Sequence, residues 1–392
     1  MENGRPDLVL ICSIEEALAR PRRRANSDAV LNQESSPWLM LPPKYEGRKS
    51  SYKLYNLADN KVQTLCGPID EIRDLALINC RGSSHGWLAL LGPFDSGFFL
   101  YNPISRRHIK LPSIRNLPNT FRYYGVPVKN VILSCSPEDD EENFRVVIMR
   151  YRRNAMAFCW PGRSKEWTLM LDENRGKSFY IDCVYSARLK LFFALTNDRK
   201  LEAWDLGDPS YPKLIKVDDV DMDQYCYLSS IERLSKISCG RVGHLVVADE
   251  ALLLVIQYIM NHVGPDGSCF DRLDKRRPNC YSCRYMTIGF DIFKYDSEKG
   301  KFKNLDSSSL GGLAIFVGKH CHSVAIQATE FPGVKPNSVY FTDGYHTENF
   351  DSDHSSDDDD DDDDDELFCG GGQDIGIYSY IDKTVSPMPL SM

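Results

Sequence analysis

A single short unit recurs along this chain and limits what it can fold into: an aromatic residue, a tight turn, then a polar–apolar strand. Tyr55-Asn56 leads to residues 62–65, Tyr101-Asn102 to 109–111, Trp160-Pro161 to 167–169 and Trp204-Asp205 to 214–217. Tyr295-Asp296 leads to residues 302–305, and Tyr380 to 384–385. The clearest copy lies between Arg81 and Pro112. Its apolar runs at Trp87–Leu91, Phe98–Tyr101 and 107–111 are separated by a Gly-Pro turn and by Asn102-Pro103. That is the pattern of a short antiparallel meander. A lone meander has two apolar faces and is not stable in water. Repetition at the period of a propeller blade, roughly 40–50 residues, supplies the neighbours that cover those faces.

The expected fold is therefore all-β: a β-propeller of about six four-stranded blades over residues 37–392. It is preceded by an N-terminal segment, residues 1–36, expected to be poorly ordered or partly helical. Ser13 and Glu16 form a potential capping box there, ended by Pro21. Residues 231–237 are the main candidate for a helical turn elsewhere. The two longest intervals between copies contain inserts, at about 261–286 and about 346–372, the second expected to be a disordered acidic loop.

The net charge of −9 is carried by that loop. Residues 348–366 hold thirteen carboxylates and no Lys or Arg, which leaves +4 on the remainder. Self-repelling carboxylates at 357–366 cannot be buried, so the run is expected to emerge between strands near Ser338 and Gly376. Ser355 and Ser356 ahead of it suit acid-directed kinases. A modest positive charge beside a polyaspartate insert argues against nucleic-acid binding. The 13 cysteines have no framework spacing, which points to a reducing compartment and buried free thiols. No signal peptide or membrane-length apolar run is evident, so a cytoplasmic or nuclear, membrane-free location is expected. A basic cluster at residues 20–24 could serve nuclear import.

Few motifs suggest chemistry. His262, Cys269, Cys280 and Cys283 include one zinc-like Cys-X-X-Cys pair. Structural zinc sites usually show two, so a loop with free thiols is the simpler reading. Gly176-Lys177-Ser178 lacks the upstream Gly of a phosphate loop, because position 171 is Leu. Asp219, Asp221 and Asp223 imitate a calcium loop, but Gln224 and Ser230 occupy its Gly and Glu positions. No cofactor or catalytic residue is expected. His85 reads as a polar tie from a turn to a neighbouring strand. Trp87, Trp160, Trp167 and Trp204 read as packing between blades.

Several stretches resemble the plant family of F-box proteins with a C-terminal β-propeller, to which the KIB kinase-binding proteins also belong. They include residues 36–42, Ser83-Ser84-His85-Gly86-Trp87-Leu88, and Leu100-Tyr101-Asn102-Pro103 with residues 104–106. Lys165-Glu166-Trp167-Thr168 and residues 289–296 follow. Then come Phe331-Pro332-Gly333-Val334-Lys335-Pro336-Asn337-Ser338-Val339-Tyr340-Phe341-Thr342-Asp343 and residues 374–378. In family order they cover about residues 36–388. The resemblance implies that these motif residues are structural, and that the protein ligand is a degradation target or a kinase. Residues 1–36 have neither the Leu-Pro start nor the Lys-Ser-Trp segment of an F-box. The resemblance therefore supplies no residues for docking a Skp adaptor and a cullin.

Two functions are weighed. One is a non-enzymatic binding module, a ubiquitin-ligase substrate receptor or kinase binder, or an F-box-less decoy or regulator. Arg106, Arg107, Arg152, Arg153 and Arg163 near loops are its candidate contact residues. The other is an enzyme using the propeller channel, which needs converging carboxylates or histidines that no local motif announces.

Overall fold

The computed structural model describes residues 9–11, 37–46, 49–58, 61–64, 79–92, 97–103, 105–114, 117, 128–150, 155–170, 178–220, 239–263, 284–305, 310–318, 322–342 and 374–388. The potential capping box, the helical-turn candidate, residues 264–283 of the first insert, the whole of the second insert, residues 176–177 of the phosphate-loop lookalike and 221–230 of the calcium-loop lookalike, Arg152, Arg153 and Asp343 lie outside these residues.

The chain is an all-β propeller. Its described strands fall into six sheets, five of four strands and one of five. The first contains β1 (Val9–Ile11), β2 (Trp38–Glu46), β3 (Lys49–Asn56) and β4 (Val62–Thr64). The second contains β5 (Asn79–Ser84), β6 (Trp87–Leu91), β7 (Phe98–Tyr101) and β8 (His108–Leu111). The third contains β9 (Val128–Leu133), β10 (Val146–Arg150), β11 (Met156–Cys159) and β12 (Thr168–Met170). The fourth contains β13 (Tyr180–Ser186), β14 (Leu191–Thr196), β15 (Lys200–Asp205) and β16 (Lys213–Asp219). The fifth contains β17 (Gly240–Ala248), β18 (Ala251–Val263), β19 (Arg284–Asp296) and β20 (Lys301–Asn304).

These five sheets are antiparallel with their strands in chain order. The sixth breaks the pattern. It comprises β21 (Leu313–Val317), β22 (Val324–Gln327), β23 (Ser338–Phe341), β24 (Gly376–Ser379) and β25 (Thr384–Pro387). Its order is β22-β21-β23-β24-β25, with β21 and β23 parallel. This corrects the expectation of four strands per blade. A 3-10 turn, Ala328–Glu330, starts the connection that carries the chain from β22 back to β23. The first sheet departs from expectation too, because β1 is drawn from the segment placed before the propeller. Val9-Leu10-Ile11 is apolar and strand-prone but too short to register as a pattern.

Neighbouring sheets are held face to face by apolar residues. Trp87, Phe98 and Leu100 pack with Val131, Leu133, Phe144 and Trp167 between the second and third sheets. Val246, Val255 and Phe290 pack with Val339, Phe341 and Tyr378 between the fifth and sixth. Leu39, Tyr55 and Leu57 of the first sheet join Phe316, Phe331 and Tyr340 of the sixth, which closes the ring.

Turn chemistry accounts for most of the recurring motif residues. His85 and Gly86 have φ of 51° and 76°, the double left-handed geometry of the two-residue turn that suits twisted antiparallel strands. Asn102 Oδ1 accepts the Ser105 N–H at 3.0 Å, fixing the turn that Pro103 enters. Asn337, at φ 52°, accepts the N–H groups of Leu310 and Gly312 through Oδ1 at 2.9 and 3.1 Å. Pro336 supplies a carbonyl to the Ser338 hydroxyl, and Lys335 N–H donates to the Tyr340 hydroxyl at 2.7 Å. Pro332 is exposed beside buried Phe331. The Phe341 ring packs tilted against that of Phe290, and Thr342 N–H bonds the Val317 carbonyl.

Gly333 carries the strictest constraint. At φ 82°, a Cβ there would stand 2.2 Å from the Leu57 carbonyl oxygen, in the first sheet. Gly311 shares the left-handed backbone at φ 67° but has nothing within 4 Å of that point. Gly333→Ala is expected to cost about 2–4 kcal/mol in urea unfolding, against about 1 kcal/mol for Gly311→Ala. Equal costs at the two positions would contradict the closure described here.

Candidate functional site

Two regions combine chemistry-bearing residues: the inner edges of the sheets, and the hairpin rim of the second and third sheets.

The inner strands β5, β9, β13 and β17 each leave one edge without a neighbouring strand in their own sheet. An N–H on such an edge needs a partner. Side-chain oxygens supply it. Asn130 Oδ1 accepts the N–H of Val131 at 2.8 Å, and Asp182 Oδ1 that of Cys183 at 2.8 Å. Two bonds cross between sheets: Leu133 N–H to Ser84 Oγ at 3.1 Å, and Leu245 N–H to Asp182 Oδ2 at 2.7 Å. Close approach matters here too, for a Cβ on Gly82 would lie 2.9 Å from the Val131 nitrogen.

Ser84 also faces His322 from the sixth sheet, with Oγ 3.3 Å from Nδ1, and His322 N–H bonds the Ser83 carbonyl at 2.8 Å. His85 Nε2 lies 3.2 Å from the Leu133 carbonyl, so this nitrogen carries the proton. The rings of His85 and His322 are 5.4 Å apart. His85 is thus a tie from the β5–β6 turn to β9, and its second-histidine neighbour was invisible as a pairing in the sequence.

A buried relay runs outward from β17. His244 Nε2 and Gln257 Oε1 are 3.1 Å apart, Gln257 donates to Thr287 Oγ1 at 2.7 Å, and Thr287 donates to Asp374 Oδ2 at 2.5 Å. Asp374 also accepts the Thr287 N–H, joining the fifth sheet to the sixth. Burial lowers the His244 pKa to about 4, so it is neutral, and raises that of Asp374. Burial likewise pushes Asp182 up to about 7, outweighing its two N–H bonds. Asp182, His244, Gln257 and Thr287 do not stand out in the sequence, because each is one polar position inside an apolar strand, while Asp374 stands just ahead of β24 in a stretch that the family resemblance includes.

The rim lies beside the hairpins that follow β7, β9 and β11. Asn102 and Ser105 donate to Glu138 at 3.4 and 2.6 Å, and Arg107 pairs with Glu141 at 3.1 Å. Arg163 donates to Asn143, and Trp160 Nε1 to the Glu142 carbonyl at 2.7 Å. The guanidinium carbons of Arg145 and Arg163 lie 4.4 and 4.3 Å from the Trp160 ring. Arg106, at φ 58°, projects from the same rim and is exposed. Behind it are two indole ties, Trp87 Nε1 to Ser136 Oγ and Trp167 Nε1 to the Pro112 carbonyl. Trp204, on β15, donates to buried Glu202, which also accepts the Tyr180 hydroxyl.

The zinc candidates are not brought together within the described residues. His262 lies near the end of β18, while Cys269, Cys280 and Cys283 fall outside them. Among the described residues no group of three or more His, Cys, Asp or Glu is placed to hold a metal ion. Cys159 and Cys183 are buried free thiols with pKa raised well above the usual value.

Ring, sheets and inner-edge ties together define a β-propeller. Residues 54–379 match the KIB1-4 beta-propeller family model, and the chain belongs to that family. No curated protein matches it. Among solved structures, apo AztD from Citrobacter koseri is 14% identical with a TM-score of 0.36, and the match covers 75% of this chain. The chain spans 60% of the AztD chain. The Cps50 (Swd1) beta-propeller domain of Myceliophteria thermophila is 9% identical over 78% of this chain and 88% of its own, with a TM-score of 0.33. Dihydro-heme d1 dehydrogenase NirN, in complex with DHE, is 12% identical over 76% and 68%, with a TM-score of 0.31.

Asp182 and His244 act on stability with opposite signs. Asp182 has a folded pKa above its unfolded value, so the native state holds the extra proton and stability falls as pH rises from about 4 to about 7. His244 has a folded pKa below its unfolded value, so its contribution is present above about 6.5 and is lost as pH falls toward about 4. The two oppose each other between about 4 and 6.5. Asp182→Asn removes one of them. Urea unfolding between about pH 4.5 and 6.5 should then show stability rising with pH more steeply than in wild type, by up to about 1.4 kcal/mol per pH unit. An unchanged slope would contradict the assignment.

Proposed function

We propose that this chain is a non-enzymatic protein-binding propeller whose contact surface is the hairpin rim of the second and third sheets. One observation carries this reading: the rim's side chains are held by one another rather than by a core, with an exposed arginine left over. Glu138 and Glu141 tie one hairpin, and Asn143 and Trp160 hold Arg163. A pre-ordered polar rim with Arg at its edge suits protein recognition, because little side-chain entropy is lost on docking. The partner class suggested by family membership is a protein kinase to be restrained or a protein destined for ubiquitin-dependent degradation. A cytoplasmic or nuclear site of action goes with it. A Skp adaptor and a cullin belong to this proposal only as partners recruited without a recognisable F-box.

The test is affinity purification from source tissue with the full chain and with an Arg106→Glu/Arg163→Glu variant. The wild type should recover a kinase or a ubiquitin-pathway client, and the variant should recover about tenfold less with an unchanged melting temperature. Equal recovery by both proteins would place the contact surface elsewhere.

A further inference from the structure

One tie of the rim is made by a hydroxyl that stands in solvent. Ser105 Oγ donates to Glu138 Oε1 at 2.6 Å, a bond that runs from the second sheet to the third. It is shorter than the two beside it, Asn102 Nδ2 to the same oxygen at 3.4 Å and Arg107 to Glu141 at 3.1 Å. Ser379 also donates to a carboxylate, but Asp382 lies in its own turn and that bond joins no sheets. Ser105, Arg106, Arg107 and His108 are exposed in succession. They lead from the β7–β8 turn into β8, the outermost strand of its sheet, whose outer edge has no neighbouring strand in that sheet. An enzyme that binds its substrate as an extended segment reaches this hydroxyl along that edge.

Charges of opposite sign lie on the two sides of Ser105. Glu138 accepts its hydrogen, and the next two residues in the chain are Arg106, at φ 58°, and Arg107. A phosphate at this position carries a charge of about −1.5 to −2 and no hydrogen for Glu138, so that carboxylate repels it and the guanidinium groups attract it. The side chains of the Arg107–Glu141 pair are 45% and 67% exposed, and a pair so exposed is weak enough to be exchanged. We propose that Ser105 is a phosphorylation site, and that its phosphate takes Arg106 and Arg107 and frees the hairpin between β9 and β10 from the second sheet. The phosphoryl donor is ATP, used by a serine kinase that accepts basic residues after its target. The bond from Ser105 Oγ to the γ-phosphorus forms, the bond from that phosphorus to the ADP oxygen breaks, and the hydroxyl proton passes to a base of the kinase. Once freed, the hairpin no longer supports Arg163 through Asn143, so phosphorylation takes the rim apart. That consequence for binding rests on the rim being the contact surface, whereas the site and the opening of the hairpin involve no partner.

The full chain, incubated with Mg-ATP and an extract of the source tissue and then mapped by mass spectrometry, should carry phosphate on Ser105. Its absence there would overturn the proposal. Chain produced with phosphoserine at position 105 tests the opening by amide hydrogen exchange. The Asp139 and Phe144 N–H groups bond to carbonyls within the hairpin, those of Ser136 and Asp140. With phosphoserine present these amides should exchange about tenfold faster or more, while β9 and β10 keep their protection. Ser105→Ala loses the bond to Glu138 but adds no charge, and should speed them only about two- to threefold. Glu138→Lys in the phosphorylated chain replaces repulsion by attraction and should return exchange to within about threefold of the unmodified protein. Circular dichroism melts establish that each form is folded. Exchange unchanged by the phosphate, equalled by Ser105→Ala, or not restored by Glu138→Lys would overturn the proposal. A partner that binds both forms equally although the hairpin has opened would uphold this site and count against the rim as the contact surface.

Discussion

The inner edge of each sheet imposes the constraint on which the rest of this structure depends. A ring of small sheets turns one edge of every inner strand toward its axis, where no further strand can pair with it. Backbone N–H groups on that edge are buried and must be satisfied. Here the partners are side-chain oxygens: Asn130 for Val131, Ser84 for Leu133, and Asp182 for both Cys183 and Leu245. Asp182 and Ser84 reach the next sheet, so they satisfy the edge and set the spacing between sheets together. The apolar clusters supply most of the attraction between sheets but allow sliding. Directional bonds remove that freedom.

The same division of labour separates the buried polar groups from the rim. Asp182 near pH 7 and neutral His244 have shifted pKa values of the kind found at catalytic sites. Their partners are backbone N–H groups and a Gln–Thr–Asp chain, each committed to holding strands and sheets together. By contrast, the ties of the rim join surface loops to one another. That difference supports the binding role proposed for the rim, while the buried polar groups tie strands and sheets.

Much of this was legible in the sequence. Trp87–Leu91 and Phe98–Tyr101 are strands because short continuous apolar runs between turn-formers have few other outcomes. Asn102, Gly333 and Asn337 could be read as turn residues from type alone. What each touches could not: the clash partner of Gly333 is Leu57, far away in the chain. The parallel pairing of β21 with β23 was hidden because strand patterning carries no information on direction. The relay from His244 to Asp374 was hidden for a related reason. A lone polar residue inside an apolar strand looks the same whether it faces solvent, a metal or another side chain.

Amide hydrogen exchange at Leu133 and Leu245 measures the inner-edge bonds directly, since neither amide can be protected by its own ladder on that side. Exchange as slow as that of the neighbouring core strands, opening only with global unfolding, is the predicted result. Exchange near the unfolded rate at both amides, while β10 and β18 remain protected, would show that side-chain oxygens do not seal the inner edges and would contradict the account.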